Sequence, residues 1–232
     1  MKFKNWHKFG YILAIFGSFQ SFVIPTIAMF FYTGGTDANH LSLGYSFWEN
    51  LLSDLGRVYA YSGNLNLISS ILYNISLFTM GAFVIPYFIA SPSIFKGFKE
   101  ARWLSIAGSI GGIFLCIMLI GASITPADLM MSIHMTFGML AFFVGLPLAI
   151  FYTFAIFLHK NYSNFYAIVY LILGVVLLVF ILVMFQDAGS PIVTPTFATG
   201  QKIVVYTLTT TFLIQAYGAR VQENKKTDNL KK

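Results

Sequence analysis

Long runs of uncharged, mainly apolar residues alternate with short polar segments along the chain. A helix needs about 20 apolar residues to cross the hydrocarbon core of a bilayer, and six runs approach or exceed that length. We therefore predict six transmembrane helices, at 10–32, 65–90, 103–123, 131–158, 165–185 and 203–218. The last run is the shortest and contains four threonines.

The composition points to a membrane protein. Hydrophobic residues make up 57% of the 232 residues and charged residues only 9%, with a mean hydropathy of +0.76. Because soluble domains carry about 25% charged residues, a soluble enzyme, a disordered chain, a coiled coil and a nucleic-acid-binding protein are all disfavoured. The single cysteine, Cys116, allows no intrachain disulfide. We predict an all-α, polytopic membrane helical bundle of one domain, 1–220, followed by a polar cytoplasmic tail, 221–232.

The charged residues are divided unequally between the two sides of the predicted bundle. Six spans place both termini on one side, which carries 12 basic residues, whereas the other side carries only Arg57 and Lys202. The 12 are Lys2, Lys4, Lys8, Lys96, Lys99, Arg102, Lys160, Arg220, Lys225, Lys226, Lys231 and Lys232. The positive-inside rule makes these termini cytoplasmic, in a multi-pass protein of the cell membrane. The net charge of +6 is then a topology signal, and no nucleic-acid partner is expected.

The acidic residues gather on the opposite, outer side. Five of the eight lie there: Asp37, Glu49, Asp54, Asp128 and Asp187. Acidic residues have little influence on orientation, so their placement needs another cause. A polar site at the outer membrane face and ordinary loop solubility are the two explanations.

The first outer loop, 33–64, contains a helical pattern of its own. Ser46 and Glu49 fit a capping box. The residues after them place apolar and polar side chains on opposite sectors at helical spacing. The polar sector consists of Ser46, Asn50, Ser53, Asp54 and Arg57. We expect a short amphipathic helix, in which Asp54 and Arg57 are close enough to pair. It is either a surface helix with a weak ion pair or a lid whose polar face looks into a site.

His134 is the only histidine within a predicted span. Gly138, Ala141 and Gly145 follow it as a stripe of small residues that permits close helix packing, so His134 is expected to face the protein interior. An ionisable residue inside a membrane is a functional-site hypothesis by default, and His134 could also hold a metal. The alternative is a structural histidine that is hydrogen-bonded to a neighbouring helix.

Two further polar patterns lie toward the outer face. The sequence from Thr125 through Pro126 to Asp128 is typical of a helix start, and capping alone would explain Asp128. The second span carries a polar stripe that either lines a cavity or forms interhelical hydrogen bonds, because lipid cannot satisfy amides. The stripe consists of Asn66, Ser70, Tyr73 and Asn74.

Several of these motifs together resemble the domain of unknown function 998 family of small multispanning membrane proteins in bacteria and archaea. The motifs are Tyr45-Ser46, Leu52-Ser53-Asp54-Leu55-Gly56, Thr125-Pro126-x-Asp128, and His134 leading into Gly138, Ala141-Phe142 and Pro147. The first outer loop is also similar to that of the DRAM-like membrane family. Lys202 departs from the arginine that the first family often has near its last span. The resemblance implies a fold and outer-face polar residues, and it brings no established activity.

The sequence is compatible with three functions. The first is a non-catalytic protein that binds membrane lipids or a protein partner and has a polar site at its outer face. The second is a membrane-embedded hydrolase or transferase acting on a lipid head group, with His134 as base or metal ligand and Asp54 and Asp128 orienting it. The third is a small-solute transporter. The candidate binding residues are Ser53, Arg57, Asn66, Asn74, Asp187 and Lys202.

Overall fold

The computed structural model describes residues 6–229, and it describes side chains as far as residue 224. Six α-helices account for most of this part of the chain. They are α1 (Trp6–Phe31), α2 (Leu67–Ala90), α3 (Lys99–Ser123), α4 (Met131–Phe157), α5 (Asn164–Asp187) and α6 (Pro195–Asn229). Of the basic residues used to predict topology, several lie outside the described residues or side chains: Lys2, Lys4, Lys225, Lys226, Lys231 and Lys232.

The first five helices are long and apolar enough to cross a membrane. They begin and end close to the first five predicted spans, because each charge-free run continues until a polar or glycine-containing turn interrupts it. Their large exposed hydrophobic residues are mainly Phe, Ile, Leu and Val, which agrees with an integral membrane protein. The sixth helix is less apolar over its length of 35 residues.

The helices form a closed ring in chain order. Each helix packs against the next one, and α6 returns to pack against both α5 and α1. One end of the ring, here called the long-loop end, carries residues 32–66, 124–130 and 188–194. The other, here called the short-loop end, carries residues 91–98 and 158–163, the start of α1 and the last turns of α6. The N-terminal part of α6 therefore belongs to the same end as the predicted site.

The amphipathic helix predicted for the first loop is not confirmed. The loop contains turns and one five-residue 3₁₀-helix, Leu52–Gly56, in which every residue is buried. The ion pair predicted within it is not formed either: the one salt bridge found among the described side chains joins His7 to Glu223, at 3.6 Å. Asp54 lies in the polar sector of the predicted helix, and its side chain is only 3% exposed. The helical spacing is present in the sequence, but the loop folds onto the helices instead of lying on a surface.

Toward the short-loop end the interior contains a group of hydrogen-bonded tyrosines and serines. The Tyr152 hydroxyl is hydrogen-bonded to Ser109, at 2.7 Å, and to Ser91. Its ring stacks on Tyr170 with the centroids 5.0 Å apart, and the Tyr170 hydroxyl lies 3.1 Å from that of Tyr87. We call these five residues the hydroxyl cluster. It links α2, α3, α4 and α5 through contacts between side chains.

Candidate functional site

A small cavity of about 70 Å³ lies inside the ring, beneath the first loop. Its walls come from α2 to α6 and are largely apolar, including Leu119, Phe142, Leu177 and Leu208. Four polar side chains also line it: Ser53, Tyr73, His134 and Gln201. Since a water molecule occupies about 30 Å³ of liquid volume, the cavity can hold a few waters or one end of a small ligand. Its form is that of an apolar pocket with a few convergent polar groups.

His134 contributes the ionisable group of this cavity. It lies in the first turn of α4, and its side chain is 8% exposed. Its Nδ1 lies 2.7 Å from the carbonyl oxygen of Thr125. Because a carbonyl oxygen can only accept a hydrogen bond, Nδ1 carries the proton and donates it. In the neutral ring the lone pair is then on Nε2, which can accept a hydrogen bond from a ligand.

The first loop is joined to α6 above the cavity by Gln201. The backbone N–H of Leu52 donates to Gln201 Oε1 at 2.8 Å, and Gln201 Nε2 donates to Ser53 Oγ at 3.5 Å. Gln201 was not among the predicted site residues. The signal that could have identified it is an amide beside an apolar span, which needs a protein partner in a membrane.

Asp54 and Lys202 belong to a buried polar network centred on Asn50. Asp54 Oδ2 accepts hydrogen bonds from the Leu51 N–H at 2.8 Å and from Asn50 Nδ2 at 3.2 Å. Lys202 Nζ donates to the carbonyl oxygens of Asn50 and Ala198. Burial raises the pKa of Asp54 to about 6, although its two hydrogen bonds and the nearby cations favour the ionised form. The network joins the loop to α6. Asn50 is completely buried, and it was not among the predicted site residues because its spacing placed it only in the polar sector of the predicted helix.

Asp128 binds the first loop across a long sequence separation. Its two carboxylate oxygens accept hydrogen bonds from the backbone N–H groups of Val58 and Tyr59, both at 2.9 Å. The predicted helix start at Thr125 is not observed, because residues 127–129 form a turn and α4 begins at Met131. The Asp128 carboxylate thus ties two loops together instead of capping its own helix.

The polar stripe of α2 binds carbonyl groups of the 3₁₀-helix and the residue after it. Asn66 Nδ2 donates to the carbonyl oxygens of Leu55 and Arg57, at 3.2 and 2.9 Å. Both Ser70 Oγ and Asn74 Nδ2 donate to the carbonyl oxygen of Gly56, at 2.9 and 3.0 Å. These contacts allow non-helical backbone to be buried, because they replace the hydrogen bonds that water would supply.

Two of the predicted binding residues, Arg57 and Asp187, make contacts within the loops of this end. Arg57 Nε donates to the carbonyl oxygen of Tyr59 at 3.2 Å, and its guanidinium lies over the Tyr61 ring at 4.0 Å. Asp187 Oδ1 accepts a hydrogen bond from Thr194 Oγ1 at 2.7 Å. Arg57 thus stabilises the first loop, and Asp187 stabilises the loop between α5 and α6.

The structure brings some of the predicted residues together and separates others. Ser53 and His134 share the cavity wall, whereas the carboxylates of Asp54 and Asp128 are hydrogen-bonded to different segments of loop backbone. Among the side chains that the structure describes, no three His, Cys, Asp or Glu residues are grouped closely enough to hold a metal ion. The polar groups of the cavity can accept hydrogen bonds from a ligand and donate hydrogen bonds to it, and the surrounding wall is apolar.

Comparison with known proteins gives no relative from which a function could be transferred. No protein-family model, curated protein or solved structure matches this chain.

Proposed function

We propose that the protein is a six-span, non-catalytic membrane protein that binds one end of a membrane lipid or similar amphiphile in the cavity beneath its first loop. The observation that carries this proposal is the composition of the cavity wall. Ser53, His134 and Gln201 provide polar groups in a pocket whose other walls are largely apolar. An amphiphile matches both parts, because it carries hydrogen-bonding groups and hydrocarbon in one molecule.

The use of the carboxylates argues against catalysis. Both carboxylate oxygens of Asp128 accept hydrogen bonds from backbone N–H groups, and Asp54 accepts hydrogen bonds from the Leu51 N–H and the Asn50 side chain. A carboxylate held in this way orients loop backbone and does not orient the imidazole of His134. Asp54 and Asp128 therefore hold in place the loops that lie above the cavity.

We assign α6 as the sixth span because it runs the full length of the ring. It begins at the long-loop end, where Gln201 meets Leu52, and reaches the short-loop end, where Gln222 Nε2 donates to the Asn161 carbonyl at 3.4 Å. Its polar residues Thr209, Thr211 and Gln215 are buried, so lipid would not meet them. Six spans with the basic residues inside give cytoplasmic termini in the cell membrane. Membership in the domain of unknown function 998 family stays a prediction.

The second candidate function is the hydrolase or transferase, and one observation favours it. Ser53 and His134 line the same cavity, as a nucleophile and a base would. Catalysis by this pair requires a hydrogen bond between them or through one water. Among the described residues, Ser53 is hydrogen-bonded to Gln201 and His134 to Thr125.

The test is lipid analysis of the protein purified in a mild detergent. We compare the wild type with His134→Ala, which removes the polar group, and with Gly138→Leu, which fills the cavity where an added Cβ meets nothing within 4 Å. The control is Gly111→Ala on α3, where a Cβ has ordinary contacts at 3.6 and 3.7 Å.

We expect both cavity variants to lose a co-purifying lipid that the wild type and the control retain, with bound lipid measured by native mass spectrometry. The same content in all four proteins contradicts the proposal. Labelling of wild-type Ser53, but not of Ser53 in His134→Ala, by a fluorophosphonate would instead support the enzyme.

A further inference from the structure

A second and larger opening lies at the short-loop end, away from the cavity beneath the first loop. It is a surface cleft of about 400 Å³ at the start of α3. The residues lining it are Gly97, Lys99, Arg102, Trp103 and Ile106. We call it the α3 cleft. None of these residues belongs to the site described above.

Four of the five residues of the α3 cleft follow one another along a single helix face in a defined order, and Gly97 precedes the helix. Lys99 and Arg102 are three residues apart, and Trp103 and Ile106 lie four residues beyond each of them, so all four share one face. The same face continues to Ile110, which is 65% exposed. Along the axis of α3 the side chains therefore change from cationic to aromatic to aliphatic.

Lys99 and Arg102 form no salt bridge with any acidic side chain that the structure describes, since the one salt bridge found among those side chains joins His7 to Glu223. Both Lys99 and Arg102 are exposed. A lysine in the first turn of a helix is unfavourable toward the helix dipole, so these charges do not serve the stability of α3. They are available to an anion from outside the protein.

We propose that the α3 cleft binds the head group of an anionic phospholipid. Lys99 and Arg102 hold the phosphate, for which a guanidinium provides two parallel donors and an ammonium a point charge. Trp103, which is 66% exposed, is the fifth residue of α3, and indole rings favour the membrane–water interface at the ends of such helices. Ile106 and Ile110 then contact the acyl chain.

Charge and hydrophobicity together favour a lipid over a soluble anion. A free phosphate would use Lys99 and Arg102 alone and would leave the exposed indole and the isoleucines without a role. An anionic lipid satisfies both parts of the α3 cleft at once. Basic pockets near the cytoplasmic ends of transmembrane helices are established binding sites for such head groups. This inference concerns the opposite end of the ring and does not depend on what the cavity binds.

The experiment measures lipid selection by the full-length protein. The protein is reconstituted into bilayer discs with equal amounts of dioleoylphosphatidylcholine and dioleoylphosphatidylglycerol, and the retained lipids are counted by native mass spectrometry. The test variant is Lys99→Ala/Arg102→Ala. The control is Lys96→Ala/Lys160→Ala, which removes two exposed charges at the same end, outside the α3 cleft.

We expect the wild type and the control to prefer phosphatidylglycerol, and the test variant to lose this preference by about 25-fold, or about fivefold for each basic side chain. Trp103→Ala, which leaves the charge intact, should weaken retention of both lipids at this face. An equal loss in test and control would overturn the proposal, because it would show general attraction to the surface. Displacement of the lipid by sn-glycerol 3-phosphate would also overturn it, since the ligand would then need no acyl chain.

Discussion

The two ends of the helical ring are held together by different kinds of contact. At the long-loop end, polar side chains bind backbone groups: Asn66 and Ser70 bind carbonyls, and Asp128 binds N–H groups. At the short-loop end, the hydroxyl cluster is formed by side chains that bind one another, as Tyr152 and Ser109 do. The difference follows from what each end must bury. Helices satisfy their own backbone, whereas an irregular loop buried at the end of a membrane bundle needs a donor or acceptor for each buried peptide group.

This contrast predicts that changes at the long-loop end are the more damaging, because they leave backbone groups of a folded loop without their partners. The largest effect is expected for Asp128→Ala, which leaves the N–H groups of Val58 and Tyr59 without their acceptor. Two hydrogen bonds to a charged group are lost, and the cost should be about 3.5 kcal/mol because water can partly replace the acceptor at the exposed Tyr59. The free energy of unfolding can be measured by titration with dodecyl sulfate in mixed micelles.

Asp128→Asn serves as the control for that prediction. It retains one acceptor oxygen and should lose about half as much stability. If Asp128→Ala unfolds at the wild-type concentration of dodecyl sulfate, the carboxylate does not hold the loops together, and the contrast between the two ends fails.

A pH effect should also arise at the long-loop end, from Asp54. Burial raises the pKa of its carboxyl from 3.8 to about 6, so the folded protein binds this proton more tightly than the unfolded chain does. The contribution to stability is present below pH 3.8 and is lost as the pH rises through about 6. A shift of this size corresponds to about 3 kcal/mol.

The measurement is the free energy of unfolding against pH for the wild type and for Asp54→Asn, which cannot titrate. We expect the difference in unfolding free energy between the two proteins to change between pH 3.8 and about pH 6 and to be constant above that interval. Two parallel curves would show that Asp54 has an ordinary pKa. The hydroxyl cluster should add nothing here, because tyrosines ordinarily ionise near pH 10, at about four pH units above this range.

The 3₁₀-helix packs closely on α2 at Gly56. A Cβ at Gly56 would lie 2.6 Å from Asn74 Oδ1 and 2.9 Å from the Tyr73 ring. Gly56→Ala should therefore push the loop away from α2 and destabilise the protein by about 2 kcal/mol. Gly111→Ala is the matched control, since its Cβ has room and alanine favours a helix. Equal stability of the two variants would show that the loop can move away from α2 without destabilising the protein.

The same contrast explains which features the sequence could predict. Charge-free runs predict α1 to α5, because a membrane helix is specified by local composition. The loop fold could not be predicted, since its partners are remote: Leu52 binds Gln201 and Val58 binds Asp128. The helical spacing of its apolar residues indicated a surface helix, but Leu52 and Leu55 are buried against the bundle together with Asp54.

The candidate site was predictable in its location and not in its contacts. The topology places Asp54, Asp128 and His134 at one end, and the structure has all three there. Which of them share a pocket depends on the direction of each side chain after a turn. The turn at residues 127–129 directs Asp128 to the loop backbone, whereas His134, in the first turn of α4, lines the cavity. Sequence spacing does not specify that divergence.

The smallest effect is expected at the short-loop end, for Tyr152→Phe. The substitution removes the hydroxyl shared by Ser91 and Ser109, but these two oxygens lie 3.3 Å apart and can bond each other. The ring keeps its stacking on Tyr170. Because no backbone group loses a partner, the loss of stability should be about 1 kcal/mol, measured by the same titration. A loss as large as that of Asp128→Ala would mean that the hydroxyl cluster constrains its helices as strictly as the loop contacts constrain the loop.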